Sequence, residues 1–230
     1  MFRVKGKTKG KTVFVSIYYS GGMSLPVITL DGPAGAGKST IARRVAERLG
    51  LRYLDTGAMY RAVTWKALQE GLEDPPQIAE KIPHLQIEVG DRVLVGGRDV
   101  TEEIRTHELT RQVRPFAASP EIRAQLVLLQ REIGSTGGVV TEGRDQGSVV
   151  FPDAEFRFYL DASVEERARR RHAESGGEID AIRREIEVRD ESDRNRSVGP
   201  LVVPEGALRI DSTSMSIDEV VEKICSIVRS

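Results

Sequence analysis

The stretch PVITLDGPAGAGKST, residues 26–40, runs from a short apolar segment straight into a glycine-rich loop. PVITLD (26–31) has the β-branched character of a buried strand. Gly32 and Gly37 bracket four residues, and Lys38 and Ser39 follow. With no Cβ in the way, backbone N–H groups in such a loop can converge on an anion. A helix starting at its end adds a positive dipole end and free N–H donors. This spacing predicts that Lys38 reaches the β- and γ-phosphates of a nucleoside triphosphate and that the Ser39 hydroxyl ligates Mg²⁺.

The rest of the chain supplies the context that this loop requires. Ile41, Val45 and Leu49 share one face of a helix predicted over 38–49, and Gly50 stands where a C′ glycine belongs. RYLD (52–55) is a second strand, and AMYRAVTWKALQEG (58–71) a helix stopped by glycine. LQIEVGDRVLVGG, within 84–100, alternates around Gly90-Asp91 and predicts an antiparallel hairpin. Ser119 and Pro120 open another helix. GVVTEG (138–143), EFRFYLD (155–161) and ALRID (207–211) are further strands. Capping-box patterns, Ser163 with Glu166 and Ser216 with Glu219, open two late helices. The last puts Ile217, Val220, Val221, Ile224, Cys225 and Val228 on its apolar side, so Cys225 reads as packing. Strands alternating with helices predict an α/β fold with a mainly parallel sheet, the 84–100 hairpin being an insertion.

Composition narrows the function classes. The chain has 230 residues, 39% apolar and 30% charged, as in a globular protein with one sizeable core. A formal net charge of −1 gives no reason to expect nucleic acid or an anionic membrane as partner. No apolar run approaches the roughly 20 residues of a membrane span. Cys225 is the only cysteine, which excludes an internal disulfide and fits a reducing compartment such as the cytoplasm. His84, His107 and His172 are scattered and form no metal-ligand cluster. The first 22 residues carry Arg3, Lys5, Lys7, Lys9 and Lys11 without an acid. They are expected to form a disordered basic tail, with Met23 the natural start. Weak, salt-sensitive nucleic-acid binding is the most such a tail could give.

Three stretches bear on what is done with the phosphates. In DTGAMYR (55–61), helical spacing puts Gly57 and Arg61 on one face near a strand's C-terminal end. Arg61 beside the Thr56 hydroxyl suits a second phosphate group. TEGRDQGSVVFPDA (141–154) begins at another strand end: Glu142 can hold magnesium-bound water, and Arg144 and Asp145 fall in the ligand crevice. Residues 166–196 are dense in both charges, a solvated helical hairpin or, beside a phosphate loop, an arginine-rich lid. A guanine-reading NKxD motif is absent from the sequence. A nucleotide-gated binding module remains an alternative, against which the arginines of a second phosphate site argue.

DGPAGAGKST, DTGAMYR, GRDQGSVVFPDA, ERARRR, RDESDRNR and IDSTSMSIDEVV occur in the order and spacing of a known family. From about Pro26 to Val228 the chain resembles bacterial cytidylate kinases of the long type, within the nucleoside monophosphate kinases. The resemblance implies a single P-loop kinase domain over 23–230. It implies a five-stranded parallel sheet flanked by helices, an enlarged monophosphate-binding lobe (about 57–135) with a small antiparallel sheet, and a helical lid (about 166–198). It implies a cytoplasmic monomer that transfers the γ-phosphoryl group of ATP to CMP or dCMP. Gly32, Pro33, Ala34, Gly35, Ala36, Gly37, Lys38, Ser39 and Thr40 would hold ATP with Mg²⁺. Thr56, Arg61, Arg144 and Arg196 would grip the acceptor phosphate. Arg123 and Asp145 would read the cytosine edge, and Arg189 and Asp193 the ribose. Lys38, Arg144, Arg170 and Arg196 are the expected catalytic cations, and one or more of Arg167, Arg170 and Arg171 would meet the transferring phosphoryl. The sequence departs from the family at Arg114, where a serine near the base is usual. Glu142, Thr56 and Gly199 replace aspartate, serine and alanine. Gln146 stands where an aliphatic residue is expected. The same fold acting on UMP, AMP or a small alcohol is the nearest alternative.

Overall fold

The computed structural model describes residues 3–8, 11–16, 25–90, 92–135 and 137–230. In the basic N-terminal segment, β1 (Arg3–Thr8) and β2 (Lys11–Ser16) pair antiparallel where disorder was expected. The remainder of that segment, and Met23 with it, lies outside the described residues.

From Leu25 onward the alternation read from the sequence is realised. β3 (Val27–Asp31) leads through the glycine-rich loop into α1 (Lys38–Leu49), and β4 (Arg52–Asp55) into α2 (Thr56–Gln69). Asp55 caps α2, accepting from the Ala58 N–H at 2.8 Å. Then come α3 (Pro75–Lys81), β5 (Ile87–Val89), β6 (Val93–Val95), β7 (Arg98–Asp99), α4 (His107–Ala118) and α5 (Pro120–Ser135). β8 (Val139–Gly143), a π-helical turn at Gln146–Val150, β9 (Phe156–Asp161), α6 (Val164–Ser175), α7 (Ile179–Arg194), β10 (Leu208–Asp211) and α8 (Ile217–Arg229) complete the chain.

The main sheet has the order β10-β9-β3-β8-β4, every pair parallel. Helices cover both faces, so its central strands are buried throughout. Ile28, Leu30, Val140, Phe158 and Leu160 pack with α1 and α8. On the other face Leu54 and Val139 join α2, α3, α5 and the small β5-β6-β7 sheet in a second apolar cluster. This helical lobe stands over the β4 side. The α6–α7 hairpin has only Ala168, Ile182 and Ile186 buried in a cluster of its own.

Several details differ from the expectations. The 84–100 hairpin has a third strand, β7, and its Asp91 lies outside the described residues. Helices α3 and α4 were not anticipated; Pro115 lies inside α4, where a proline removes a backbone donor and disfavours a helix. The capping box at α6 is half made. Ser163 Oγ accepts from the Glu166 N–H at 3.2 Å, but the Glu166 carboxylate binds Arg169 and Arg170 instead of turning back. At α8 both halves are present. Ile217 is exposed at the start of that helix, while Cys225 is fully buried as packing.

Candidate active site

Parallel α/β sheets bind ligands beyond the C-terminal ends of their strands, where the strand order reverses. Here the chain leaves β3 for β4 on one side and leaves β8 for β9 on the other. At that place a cleft of about 630 Å³ opens between the glycine-rich loop, the helical lobe and the α6–α7 hairpin.

The floor is the loop 32–37 and the first turn of α1. Gly32 has φ +152°, and a Cβ there would strike the Leu160 carbonyl of the neighbouring strand. Ala34, Gly35, Gly37, Lys38, Ser39 and Thr40 face the cleft, whereas Gly32, Pro33 and Ala36 lie behind it. Lys38 is buried, and its Nζ donates to Pro33 O at 2.7 Å. Burial, and then the nearby Arg144 charge, push its pKa down to about 7. Ser39 Oγ donates to Glu142 Oε1 at 2.8 Å, and Thr56 Oγ1 to the Glu142 carbonyl at 2.7 Å. A hydroxyl and a carboxylate side by side form a hard oxygen set that could hold Mg²⁺ with water and phosphate oxygens completing it.

The wall is cationic. Arg144 Nε donates to Asp193 Oδ2 at 2.6 Å, and Arg196 pairs with the other oxygen of the same carboxylate. Burial would raise the Asp193 pKa, but Arg144 and Arg196 outweigh it and hold the group below the usual carboxylate range. Arg189 lies close enough that burial and then Arg144 lower its pKa to about 10. Arg61 pairs with Asp55 at 3.2 Å, its guanidinium lying over Gly57 as the helical spacing implied. Arg170 is turned aside: it donates to Glu166, to Ser212 Oγ and, at 2.6 Å, to Ser212 O. Arg167 is buried away from the cleft.

Deeper in the helical lobe, Arg123 and Asp145 form a buried ion pair, with Arg123 5.7 Å from the centre of the Tyr60 ring. Burial raises the Asp145 pKa. Gly199, at φ +61°, brings the chain after α7 against this pair so closely that a Cβ would collide with both side chains. Glycine where an alanine is usual therefore has a local cause. Gln146 also gains an account. Its side chain accepts from Thr141 Oγ1 at 2.9 Å and donates to Gln130 Oε1 at 3.3 Å, all of them buried.

Three buried charges act otherwise than the sequence indicated: Asp31 and Asp190 carried no assigned role, and Arg167 was expected with Arg170 and Arg171 near the transferring phosphoryl. Asp31 closes β3 and accepts from the N–H groups of Gln146 and Gly147 at 2.8 and 2.7 Å, so it ties the glycine-rich strand to the loop bearing Arg144 and Asp145. Burial pushes its pKa up to about 7. The others are Arg167 and Asp190. Asp190 was within reach of the sequence: Ile182, Ile186 and Asp190 fall at i, i+4 and i+8, on one helical stripe.

A phosphate-binding loop at a sheet switch point, a second basic site in an enlarged lobe and a charged helical hairpin above both define a P-loop kinase. The family profile described as cytidylate kinase matches residues 28–230. The cytidylate kinase of Caldanaerobacter subterraneus subsp. tengcongensis is 47% identical over 210 residues, 88% of this chain and 94% of that one. That of Exiguobacterium sibiricum is 46% identical over 209 residues, covering 86% and 94%. The chain belongs to the cytidylate kinase family. Among solved structures, an uncharacterized protein from Eubacterium ventriosum shares the fold at 9% identity, with a TM-score of 0.53 over 89% of this chain and 98% of that one. Among the described residues no helix is long and apolar enough to cross a membrane.

Proposed function

We propose that this cleft transfers the γ-phosphoryl group of ATP to CMP or dCMP, giving ADP and CDP or dCDP. The observation that carries the reading is the gathering of Lys38, Arg144, Arg189 and Arg196 on the wall of one cleft, with the single carboxylate of Asp193 shared between Arg144 and Arg196. Cations held together against their own repulsion suit a site completed by polyanions, here two phosphate chains end to end.

In this reading the loop N–H groups and Lys38 cradle the β- and γ-phosphates, with Gly35 and Gly37 giving the closest approach. Arg61, Arg144 and Arg196 aim the acceptor phosphate, and Thr56 braces them through Glu142. Arg123 donates to the ring acceptors of cytosine, and Asp145 accepts from its exocyclic amine, the one donor on that edge. Asp193 and Arg189 face the ribose. An acceptor phosphate oxygen forms the new bond to Pγ as the bond from Pγ to the β-phosphate oxygen breaks, and ADP leaves. The acceptor is already an anion, so general-base help is small and catalysis is positioning plus electrostatics. Mg²⁺ held by Ser39 and, through water, Glu142 would neutralise charge on the donor phosphates. Closure of α6–α7 as a lid excludes water, and its reopening for product release sets a limit on turnover.

In this reading the acting unit is a monomer. The buried, unpaired Cys225 is compatible with the cytoplasm. The test is coupled ADP release with ATP, Mg²⁺ and a panel of CMP, dCMP, UMP, AMP and GMP. Turnover confined largely to CMP and dCMP is expected. Best turnover with UMP or AMP would sink the base assignment of Arg123 and Asp145 while keeping the kinase.

A further inference from the structure

Arg167 and Asp190 have no part in the roles just assigned, yet they are among the most buried charges of the protein, 5% and 2% exposed. Arg167 comes from α6 and Asp190 from α7, and they pair at 2.5 Å. Both reach one residue of the glycine-rich loop. The Ala34 N–H donates to Asp190 Oδ1 at 3.1 Å, and Arg167 Nη1 donates to the Ala34 carbonyl at 2.9 Å. Arg167 Nε is anchored on the Ala162 carbonyl at 2.9 Å.

A buried ion pair is weak evidence of stabilisation, because desolvation offsets the Coulomb gain. Its effect here is directional. The peptides are planar and trans, so each C=O points opposite to the next residue's N–H. With the Ala34 N–H turned outward to Asp190, the Pro33 carbonyl faces the other way, and there it accepts from Lys38 Nζ at 2.7 Å. With the Ala34 carbonyl held by Arg167, the Gly35 N–H is directed away from that guanidinium. Gly35 lies on the cleft wall and packs against the Arg167 stem, where a Cβ would come within 3.3 Å.

We infer that Arg167 and Asp190 are a positioning pair. They fix the two consecutive peptide planes on either side of Ala34, and so the donor-phosphate cradle, and they couple that orientation to both lid helices. Neither touches a nucleotide. The inference rests on reading residues 32–40 as the ATP cradle.

A positioning pair behind the cradle predicts a defect confined to one nucleotide. Binding of a non-hydrolysable ATP analogue and of CMP would be measured separately by calorimetry on Arg167→Ala and Asp190→Asn, together with KM for each substrate. Affinity for the ATP analogue should fall about 10-fold or more, the scale of a lost hydrogen bond to a charged group. CMP affinity should stay within about twofold of wild type, and Arg167→Lys, which keeps the charge but not the fork, should recover part of the loss. Equal weakening of both nucleotides, or a lowered Tm with unchanged ATP affinity, would make the pair merely structural and overturn the inference. If Arg167→Ala does not fold, the isosteric Asp190→Asn decides alone. Lys38→Ala separates the two ideas. Unchanged analogue binding in that variant removes the cradle reading and this inference with it. Weak binding there beside normal binding in the pair variants removes only the inference.

Discussion

The parallel sheet and the α6–α7 hairpin are held by opposite means. Ile28, Leu30, Phe158 and Leu160 are at most 1% exposed between helical layers, a burial that needs no ligand. The hairpin buries little of its own and meets the rest of the molecule through Arg144–Asp193, Arg170–Ser212 and the bonds of Arg167 and Asp190 to Ala34. Apolar burial is non-directional and persistent, whereas ion pairs can be exchanged for phosphate oxygens. Under the proposed function the sheet is the fixed part and the hairpin the part whose position answers to what the cleft holds, with its root pinned at Ala34.

The largest effect should come from removing a cation that the fixed part presents. Lys38→Ala and Arg144→Ala should each lower turnover with ATP and CMP at least about 100-fold, the scale of one electrostatic contact to a transition state. Near-normal turnover in Arg144→Ala would remove its assigned role. Next in size is a direct comparison of the two regions. Leu160→Ala should cost about 3 kcal/mol, seen as a Tm lower by several degrees. Ile186→Ala opens a similar cavity in the hairpin, but its cost should appear as faster hydrogen exchange in α6 and α7 with a smaller change in global Tm. Equal Tm losses would mean that hairpin and sheet unfold as one unit.

A smaller effect follows from the proton on Lys38. Burial pushes its pKa down to about 7, and donor phosphates must raise it. At pH 8 the amine is mostly neutral before binding and charged after it, so ATP binding should take up close to one proton. At pH 6 uptake should nearly vanish. Binding enthalpies in two buffers of different ionisation heat measure this directly, and the pH-8 uptake should disappear in Lys38→Ala.

What the sequence disclosed divides along the same line. The glycine-rich loop, β3, β4 and β8 were legible because local pattern and local structure coincide there. Residues 52–55 form the strand their composition announced, and Gly50 the cap. Helix α4 was hidden because its proline contradicts the local rule and tertiary packing of its apolar side overrides it. The cations expected from the motifs line the cleft, though Arg170 is turned aside to Glu166 and Ser212, and their partners were not legible. Asp31, Gln146 and Asp190 act on residues over 100 positions away or through backbone N–H groups, which no local spacing reports. Arg167 shows the hazard plainly: one of several arginines in ERARRR, it faces the loop's backbone and not the cleft.

Arg114 sharpens the comparison at its finest scale. It lines the cleft from α4, and its Nη2 lies 3.5 Å from the Val188 carbonyl of α7. At that length the bond is weak, so as a latch between lobe and hairpin it contributes little. In the proposed base site it matters more by sign than by strength. A guanidinium only donates, and uracil offers an acceptor where cytosine offers an amine. Arg114→Ser replaces it with a group that can also accept. The ratio of kcat/KM for CMP over UMP should then rise by roughly up to 10-fold, the range of one hydrogen bond, with kcat for CMP nearly unchanged. An unchanged ratio with faster product release would assign Arg114 to the hairpin; an altered ratio at constant release assigns it to the base.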